Sequence, residues 1–279
     1  MNLDEIITKA LAEDIGDGDH TTRSTIPVSA TGRARLIVKE NGILCGMNVA
    51  EKVFAYIDQK LVMKPDINDG EAVKSGDIAF EVSGSISSIL QSERLVLNFM
   101  QRLSGIATAT NRLVRLLEGM HAKILDTRKT TPLLRELEKY AVRKGGGMNH
   151  RIGLYDMILI KDNHVDYSGG IVKAIESVQA YLKSSGKDLK TEIEVRNFDE
   201  LQQVLEQGGI DRIMLDNFTP ADLKKAVVLI GGRFESEASG GINEANIREY
   251  ALSGVDFISV GALTHHIRSL DMSLKAIPD

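Results

Sequence analysis

The chain contains no tryptophan, only 5% aromatic residues, and a single cysteine, Cys45, in 279 residues. One cysteine excludes an intramolecular disulfide, and a reducing, cytoplasmic setting is the expectation. Basic charge is not in excess: 34 Lys and Arg stand against 39 Asp and Glu, for a formal net charge of -5. With so few rings to stack on and no basic surplus to track phosphates, nucleic acid is not an expected partner. No apolar run approaches membrane-spanning length, so no membrane partner is expected either. The opening M-N-L-D-E-I-I-T-K-A has acids early and no long apolar core, unlike a signal peptide. The composition that remains, 43% apolar and 26% charged, is that of a globular protein with a sizeable core. The length fits one large domain or two smaller ones.

The positive charge that is present is concentrated. Residues 123–164 hold Arg128, Lys129, Arg143, Lys144, His150, Arg151 and Lys161. Such a cluster in an acidic chain points to a small anionic ligand, because Arg and Lys beside strand ends and glycine loops are how proteins hold carboxylates and phosphates. A solvated helix face accounts for Arg135, Lys139 and Arg143, which alternate with Glu136 and Glu138. It does not account for Arg128, Lys129, Arg151 and Lys161, which flank apolar strand-like runs.

Two regions read differently. Residues 31–82 look β-rich, with alternation over Gly32–Lys39, turns at Asn68-Asp69-Gly70 and Lys74–Asp77, a short strand at Ile78–Val82 and a helix over Asn48–Asp58. The phrase G-E-A-V-K-S-G-D resembles the hairpins of carrier domains but offers no convincing lysine turn, and is read as scaffold. Ser88–Glu118 reads as a helix with Leu90, Leu95, Leu97, Met100 and Leu103 on its apolar face, interrupted or kinked at Gly105 for a close approach. From Lys123 on, short strands alternate with helices. The strands are Lys123–Leu125, Met157–Ile160, Glu192–Val195, Arg212–Leu215, Phe234–Glu237 and Phe257–Val260. The helices are Pro132–Lys144, Gly170–Lys183, Phe198–Gln207, Pro220–Ile230 and Asn243–Ser253. Such alternation means parallel strands with right-handed crossovers, in an open sheet or a barrel. No G-x-G-x-x-G follows the first strand, which weakens the dinucleotide-binding option.

Polar residues collect where these strands end: Arg128 and Lys129, Lys161 to His164, Glu194, Asp216-Asn217, Ser239-Gly240-Gly241 and Gly261. That is the C-terminal face of a parallel barrel, where active sites are built, and glycine loops after the last strands suit a phosphate. Several bland readings compete. Lys161 and Asp216 could be an ion pair capping a barrel, and His164 and His266 are structural on their surroundings. Asp14, Asp17 and Asp19 resemble a calcium loop only loosely, lacking the terminal Glu, and His20 beside Asp19 lacks a second ligand at helical spacing.

Taken in order, E-D-I-G-D-G-D-H-T-T at 13–22, S-E-R-L-V-L-N-F-M-Q-R-L-S-G-I-A-T at 92–108, D-T-R-K-T-T-P, G-G-G-M-N-H-R-I-G-L, I-K-D-N-H, E-I-E-V, M-L-D-N-F, E-A-S-G-G-I and V-G-A-L-T-H resemble the quinolinate phosphoribosyltransferase family across nearly the whole chain. A group of molybdenum-locus homologues shares the architecture, but the N-H-R and K-D-N-H pieces are those of the quinolinate enzymes. The resemblance implies a pentosyltransferase of NAD biosynthesis that converts quinolinate and phosphoribosyl pyrophosphate (PRPP), with Mg2+, to nicotinate mononucleotide, pyrophosphate and CO2. By similarity, Arg128, His150, Arg151 and Lys161 line the quinolinate pocket, with Arg94 arriving from a neighbouring subunit of a homo-oligomer, a dimer at least. Lys129 meets the phosphate-bearing substrate, and Glu194 and Asp216 hold the ribose hydroxyls and Mg2+. Ser239, Gly240 and Gly261 seat the 5′-phosphate, with His265 beside them. Lys129, Lys161, Glu194 and Asp216 are the expected catalytic group. The expected fold is an N-terminal α+β sandwich-like domain (1–110), an incomplete (β/α) barrel of about six parallel strands (111–267) and a tail (268–279) free to return to the first domain. A non-catalytic binder of an anionic metabolite on the same barrel is the competing reading. The acids Glu194 and Asp216 beside the cations speak against it.

Overall fold

The computed structural model describes residues 2–278; Met1 and Asp279, the outer ends of the expected domains, lie outside the described residues. The chain opens with α1 (Leu3–Ile15), α2 (His20–Thr25), β1 (Thr31–Val38), β2 (Gly42–Ile43), α3 (Met47–Ile57), β3 (Val62–Pro65), β4 (Ala72–Val73), β5 (Ile78–Ser85) and the long α4 (Ile86–Leu116). It continues through β6 (Lys123–Leu125), α5 (Arg135–Lys144), β7 (Ile158–Ile160), α6 (Asp162–Ser168), α7 (Ile171–Ser185), β8 (Thr191–Val195) and α8 (Phe198–Gln207). It closes with β9 (Arg212–Asp216), α9 (Pro220–Ile230), β10 (Glu235–Ser239), α10 (Ile247–Ala251), β11 (Phe257–Ser259), α11 (Ala262–His265) and β12 (Met272–Ile277).

Contacts divide the chain into two units. The first takes the residues up to Asn111, the excursion Thr131–Gly146 and everything from His266 on. Its main sheet is antiparallel in the order β12-β1-β5-β3, with β2 and β4 paired separately. On β1, Ala34, Leu36 and Val38 are buried at alternate positions, the period of a half-covered strand. Phe80 of β5 meets Phe54 of α3 edge to face at 5.7 Å. Each such buried ring or aliphatic chain contributes roughly 1.5–3 kcal/mol. The C-terminal strand β12 lies antiparallel to β1, with Leu274 opposite Leu36. Local chemistry sets the first helix ends. Asn2 and Glu5 form a reciprocal capping box on α1. Asp19 caps α2 by accepting from the Thr22 N–H at 2.9 Å. Asp19 is thus engaged in capping, and the acidic glycine loop around it is a helix start.

The excursion was not anticipated by bounds at 110 and 267. Its reason is α5, whose Glu138 is fully buried and accepts from Arg102 of α4 at 2.6 and 2.8 Å and from the Thr131 N–H at 3.1 Å. The helix starts at Arg135 and not at Pro132 because Leu133 stands in the left-handed region, at φ 69°. Gly105 does not interrupt α4, which runs unbroken through it. A Cβ there would collide with the backbone carbonyl of Arg268, so the glycine serves close approach alone.

The second unit spans Arg112–Thr130 and Gly147–His265. Its six strands are all parallel, in the order β6-β11-β10-β9-β8-β7. From β7 to β11 the order is sequential, and β6, the first strand of this unit, lies beside its last, β11. That wrap-around is barrel order, left open between β6 and β7, with helices α7, α8 and α9 as crossovers. Within β8 and β9, Ile193, Val195, Ile213 and Leu215 are fully buried on one face. The alternate face carries Glu192, Glu194, Arg212, Met214 and Asp216. The interior of this barrel is therefore charged, against the usual filling of branched apolar side chains.

Candidate active site

Period-two alternation brings one residue from almost every strand into a cavity of 670 Å3 at the C-terminal ends of the second unit's strands. Around it lie Arg128 and Lys129 after β6, His150 and Arg151 from the loop before β7, and Lys161 at the N-cap of α6. Glu194 of β8, Asp216 of β9, Ser239 of β10 and the backbone of Gly240 and Gly261 follow, with His265 of α11. Of the site residues expected from sequence, Arg94 is the one not in this lining; it is exposed on α4 in the first unit.

The acids and cations are locally fixed. Lys161 Nζ donates to Glu194 Oε2 at 2.8 Å, with the Glu194 side chain only 8% exposed. Asp216 Oδ2 accepts from the Asn217 side-chain amide at 2.6 Å. Asn217 stands in the left-handed region at φ 57°, and its N–H donates to the Ser239 carbonyl at 2.8 Å. Gly240, at φ 103°, passes so close to Asn217 that a Cβ would strike its side chain and backbone nitrogen. Asn217 thus ties the end of β9 to the glycine loop after β10. On the other side, Thr264 Oγ1 donates to the Lys129 carbonyl at 2.7 Å, which fixes the segment after β6 against α11. A Cβ on Gly261 would sit 2.9 Å from Lys129 Cδ and 3.1 Å from His265 Nε2, so a side chain there would crowd both. The His150 backbone N–H donates to Asp126 at 2.8 Å, and Arg151 Nη1 to the Met157 carbonyl at 3.3 Å.

Below this rim is a layer that sequence reading missed. His150 Nε2 lies 2.9 Å from Glu192 Oε2 and 3.5 Å from Glu237 Oε2, and both acids are fully buried. Arg212 reaches Glu237 at 3.2 Å and Glu235 at 2.9 Å, with its guanidinium 4.0 Å over the Phe257 ring. Burial pushes the Glu192 carboxyl up to about 7, against the opposing pull of Arg212. Burial also takes Glu237 up to about 7, and the Glu192 charge adds to the rise. Burial lowers Arg151, and the neighbouring Arg128 lowers it further. The signal for these acids was available: Glu192 is two before Glu194 and Glu237 two before Ser239, so each shares its neighbour's face.

Among the described residues, two sets have donors suited to a metal ion. His150, Glu192 and Glu237 place ligand atoms within 4.8 Å of one another. Glu194 and Asp216 offer carboxylate oxygens at the cavity itself. Two carboxylates completed by substrate oxygens and water are the donor set Mg2+ prefers. Elsewhere, Cys45 is buried, which pushes its thiol up and makes it a poor nucleophile.

Comparison with known proteins places this geometry. The quinolinate phosphoribosyl transferase C-terminal domain matches residues 106–275, and the corresponding N-terminal domain residues 19–104. A quinolinate phosphoribosyltransferase (decarboxylating) from Nicotiana tabacum is 44% identical over 98% of this chain and 82% of its own. The carboxylating nicotinate-nucleotide pyrophosphorylase of Arabidopsis thaliana is 44% identical with the same coverage. Among solved structures, NadC from Streptococcus pyogenes superposes with a TM-score of 0.93 at 38% identity, covering 99% of this chain and 97% of that one. The nicotinate-nucleotide pyrophosphorylase of Francisella tularensis superposes with the same score at 41% identity, covering 99% and 98%. With both of its domains matched in order and relatives aligned over nearly all of this chain, the chain belongs to the quinolinate phosphoribosyltransferase family.

Proposed function

We propose that this protein transfers the phosphoribosyl group of PRPP to quinolinate and releases CO2, giving nicotinate mononucleotide and pyrophosphate for NAD biosynthesis. The observation that carries this reading is the meeting of Arg128, Lys129, Arg151 and Lys161 with the acids Glu194 and Asp216 and the Ser239-Gly240 loop round one cavity. A planar dicarboxylate suits guanidinium forks, a ribose diol suits carboxylates, and a terminal phosphate suits glycine-loop N–H groups. A plain anion binder has no use for Glu194 and Asp216 at its mouth.

In the reaction the pyridine nitrogen forms a bond to C1 of the ribose as the C1–oxygen bond breaks, and the electron pair leaves with pyrophosphate. The centre passes through an oxocarbenium-like state. The bond between the ring and the carboxylate next to nitrogen then breaks. CO2 departs, the pyridinium charge stabilises the electron pair left on carbon, and a proton takes its place. The protein's share is positioning and electrostatics. Arg128, Arg151 and Lys161 orient the dicarboxylate, Lys129 faces the phosphates, and Glu194 and Asp216 hold the ribose hydroxyls. The same two acids would hold Mg2+, which when bound supplies charge for the departing pyrophosphate. Arg94, exposed on α4, would complete the site of a second copy in a homodimer. A cytoplasmic setting agrees with one buried thiol and no disulfide.

The test is turnover by the purified protein with quinolinate, PRPP and Mg2+. Pyrophosphate, CO2 and nicotinate mononucleotide should appear in equal amounts, with no pyrophosphate when quinolinate is omitted. Nicotinate should be a poor substrate, since it leaves cations without the second carboxylate. Binding of quinolinate without any turnover would favour the binder reading, and equal use of nicotinate would refute the pocket assignment.

A further inference from the structure

Arg151 brings its guanidinium to the cavity from a stretch of chain without regular structure. Residues 149–157 run from the bridge between Met148 and Leu125 to the start of β7, and belong to no helix or strand. No repeating backbone ladder therefore sets the direction in which Arg151 leaves the chain. Side chains set it instead. At the start of the stretch the His150 N–H donates to Asp126 Oδ1 at 2.8 Å, and the Arg151 N–H to His150 Nδ1 at 2.7 Å. From the far end Asp156 reaches back and accepts twice, from the Ile152 N–H at 2.7 Å on Oδ2 and from the Gly153 N–H at 2.8 Å on Oδ1. Arg151 Nη1 spans the same gap in the other direction, to the Met157 carbonyl at 3.3 Å. The loop is thus closed on itself. Leu154 and Tyr155 at its tip are 73% and 69% exposed, whereas Arg151 is 8% exposed, so the closure separates an outward tip from an inward cation.

We infer, on the proposed reading of the cavity, that Asp156 is a positioning residue for the dicarboxylate substrate: its two hydrogen bonds close the loop and hold the Arg151 guanidinium at the pocket, and it acts on the substrate only through Arg151. Asp156 is exposed and does not line the cavity. Its charge has a relation to Arg151 as well. Burial and the neighbouring Arg128 weigh against the Arg151 charge, while Glu192 and Asp156 favour it. A carboxylate near a pocket for a dianion also repels the ligand through space. Holding the loop and repelling the ligand predict opposite effects when Asp156 is removed.

Two substitutions separate them. Asp156→Asn removes the charge but keeps one acceptor oxygen, and Asp156→Ala removes both acceptors. Quinolinate affinity by calorimetry and the steady-state constants for each substrate are the readouts. Positioning predicts a graded loss: Kd and KM for quinolinate should rise about threefold in Asp156→Asn and about tenfold or more in Asp156→Ala, as one and then two hydrogen bonds are lost. The rate at saturating quinolinate and KM for PRPP should change little, a split that general damage to the fold does not give. In an Arg151→Ala background, Asp156→Ala should add no further loss, because both act through one group. Tighter quinolinate binding in Asp156→Ala, an equal rise in KM for both substrates, or a full additional loss in the Arg151→Ala background would overturn the inference. Amide hydrogen exchange of the unaltered protein gives a measurement independent of any variant. The Ile152 and Gly153 amides should exchange at least about tenfold more slowly than those of Leu154 and Tyr155. Equal rates would show that Asp156 does not hold the loop. Protected Ile152 and Gly153 amides in a wild-type protein that fails to bind quinolinate would count against the pocket reading instead, because the closure is read without ligand.

Discussion

At the scale of single residues, the two acids of the cavity differ in how they are held. Glu194 is buried and bonded to Lys161, whereas Asp216 is partly open and oriented by Asn217. Glu194→Ala and Asp216→Ala should each cut turnover by about a hundredfold or more, a magnitude typical of lost electrostatic stabilisation in a catalytic site. Quinolinate affinity, titrated without PRPP, should change far less. A collapse of quinolinate binding with PRPP binding intact would reverse the assignment. The buried floor makes a prediction about pH. Glu237 has a folded-state pKa of about 7, raised from 4.5. Such a carboxyl favours the folded state fully below its unfolded pKa and loses that contribution as pH rises through the folded value. Glu237→Gln has no proton to lose. Its melting temperature relative to wild type should therefore rise between about pH 5 and about pH 8, and a flat or falling difference would contradict the raised pKa. Arg128, Lys129, Lys161 and Asp216 were legible in sequence because each stands at the end of an apolar strand, where a charge is conspicuous. Glu192 and Glu237 shared the faces of Glu194 and Ser239 but were passed over, because they sit within strands, where a charged residue inside a barrel runs against the usual apolar filling. Asn217 was visible as the neighbour of Asp216, but its left-handed backbone and its grip on Gly240 are three-dimensional facts.

At the scale of elements, the regular strands and helices of the second unit could be read closely. Phe198–Gln207 and Pro220–Ile230 were placed to the residue, because Asn197 and Thr219 cap them and glycines follow both. The helix expected over Asn243–Ser253 shrinks to Ile247–Ala251. Asn243 spends its side chain on the Ala245 N–H, forming a local turn in place of the first helical turn. The short pairs β2 and β4 carry too few residues for any period to show. Gly105 tests the account of α4. Alanine would gain about 0.5–1 kcal/mol in helix preference. It would also force apart two backbones that touch, at about 1–3 kcal/mol. The second effect is the larger, so Gly105→Ala should lose about 1–2 kcal/mol in urea unfolding. A stabilised variant would mean that the helix and the Arg268 segment are free to separate.

At the scale of the whole molecule, the assignment of Arg94 to a partner's site has a direct test. Arg94→Ala and Lys161→Ala should each fold and each lose most activity. Mixed under conditions of subunit exchange, they should regain a fraction of wild-type turnover, since a two-fold heterodimer has one intact and one doubly damaged site. Confirmed exchange with no recovery would show that Arg94 does not serve its neighbour.

The pairing of β12 with β1 also sets a timetable. A ribosome finishes β1 within the first 38 residues, but its edge partner, residues 272–277, is among the last stretches made. At roughly 5–20 residues per second, more than ten seconds separate the two. Through that interval the edge of β1 is an open template for any passing strand. The barrel strands β6 to β11 are complete before β12 exists, so the unit whose strands begin the chain is the one that finishes folding last.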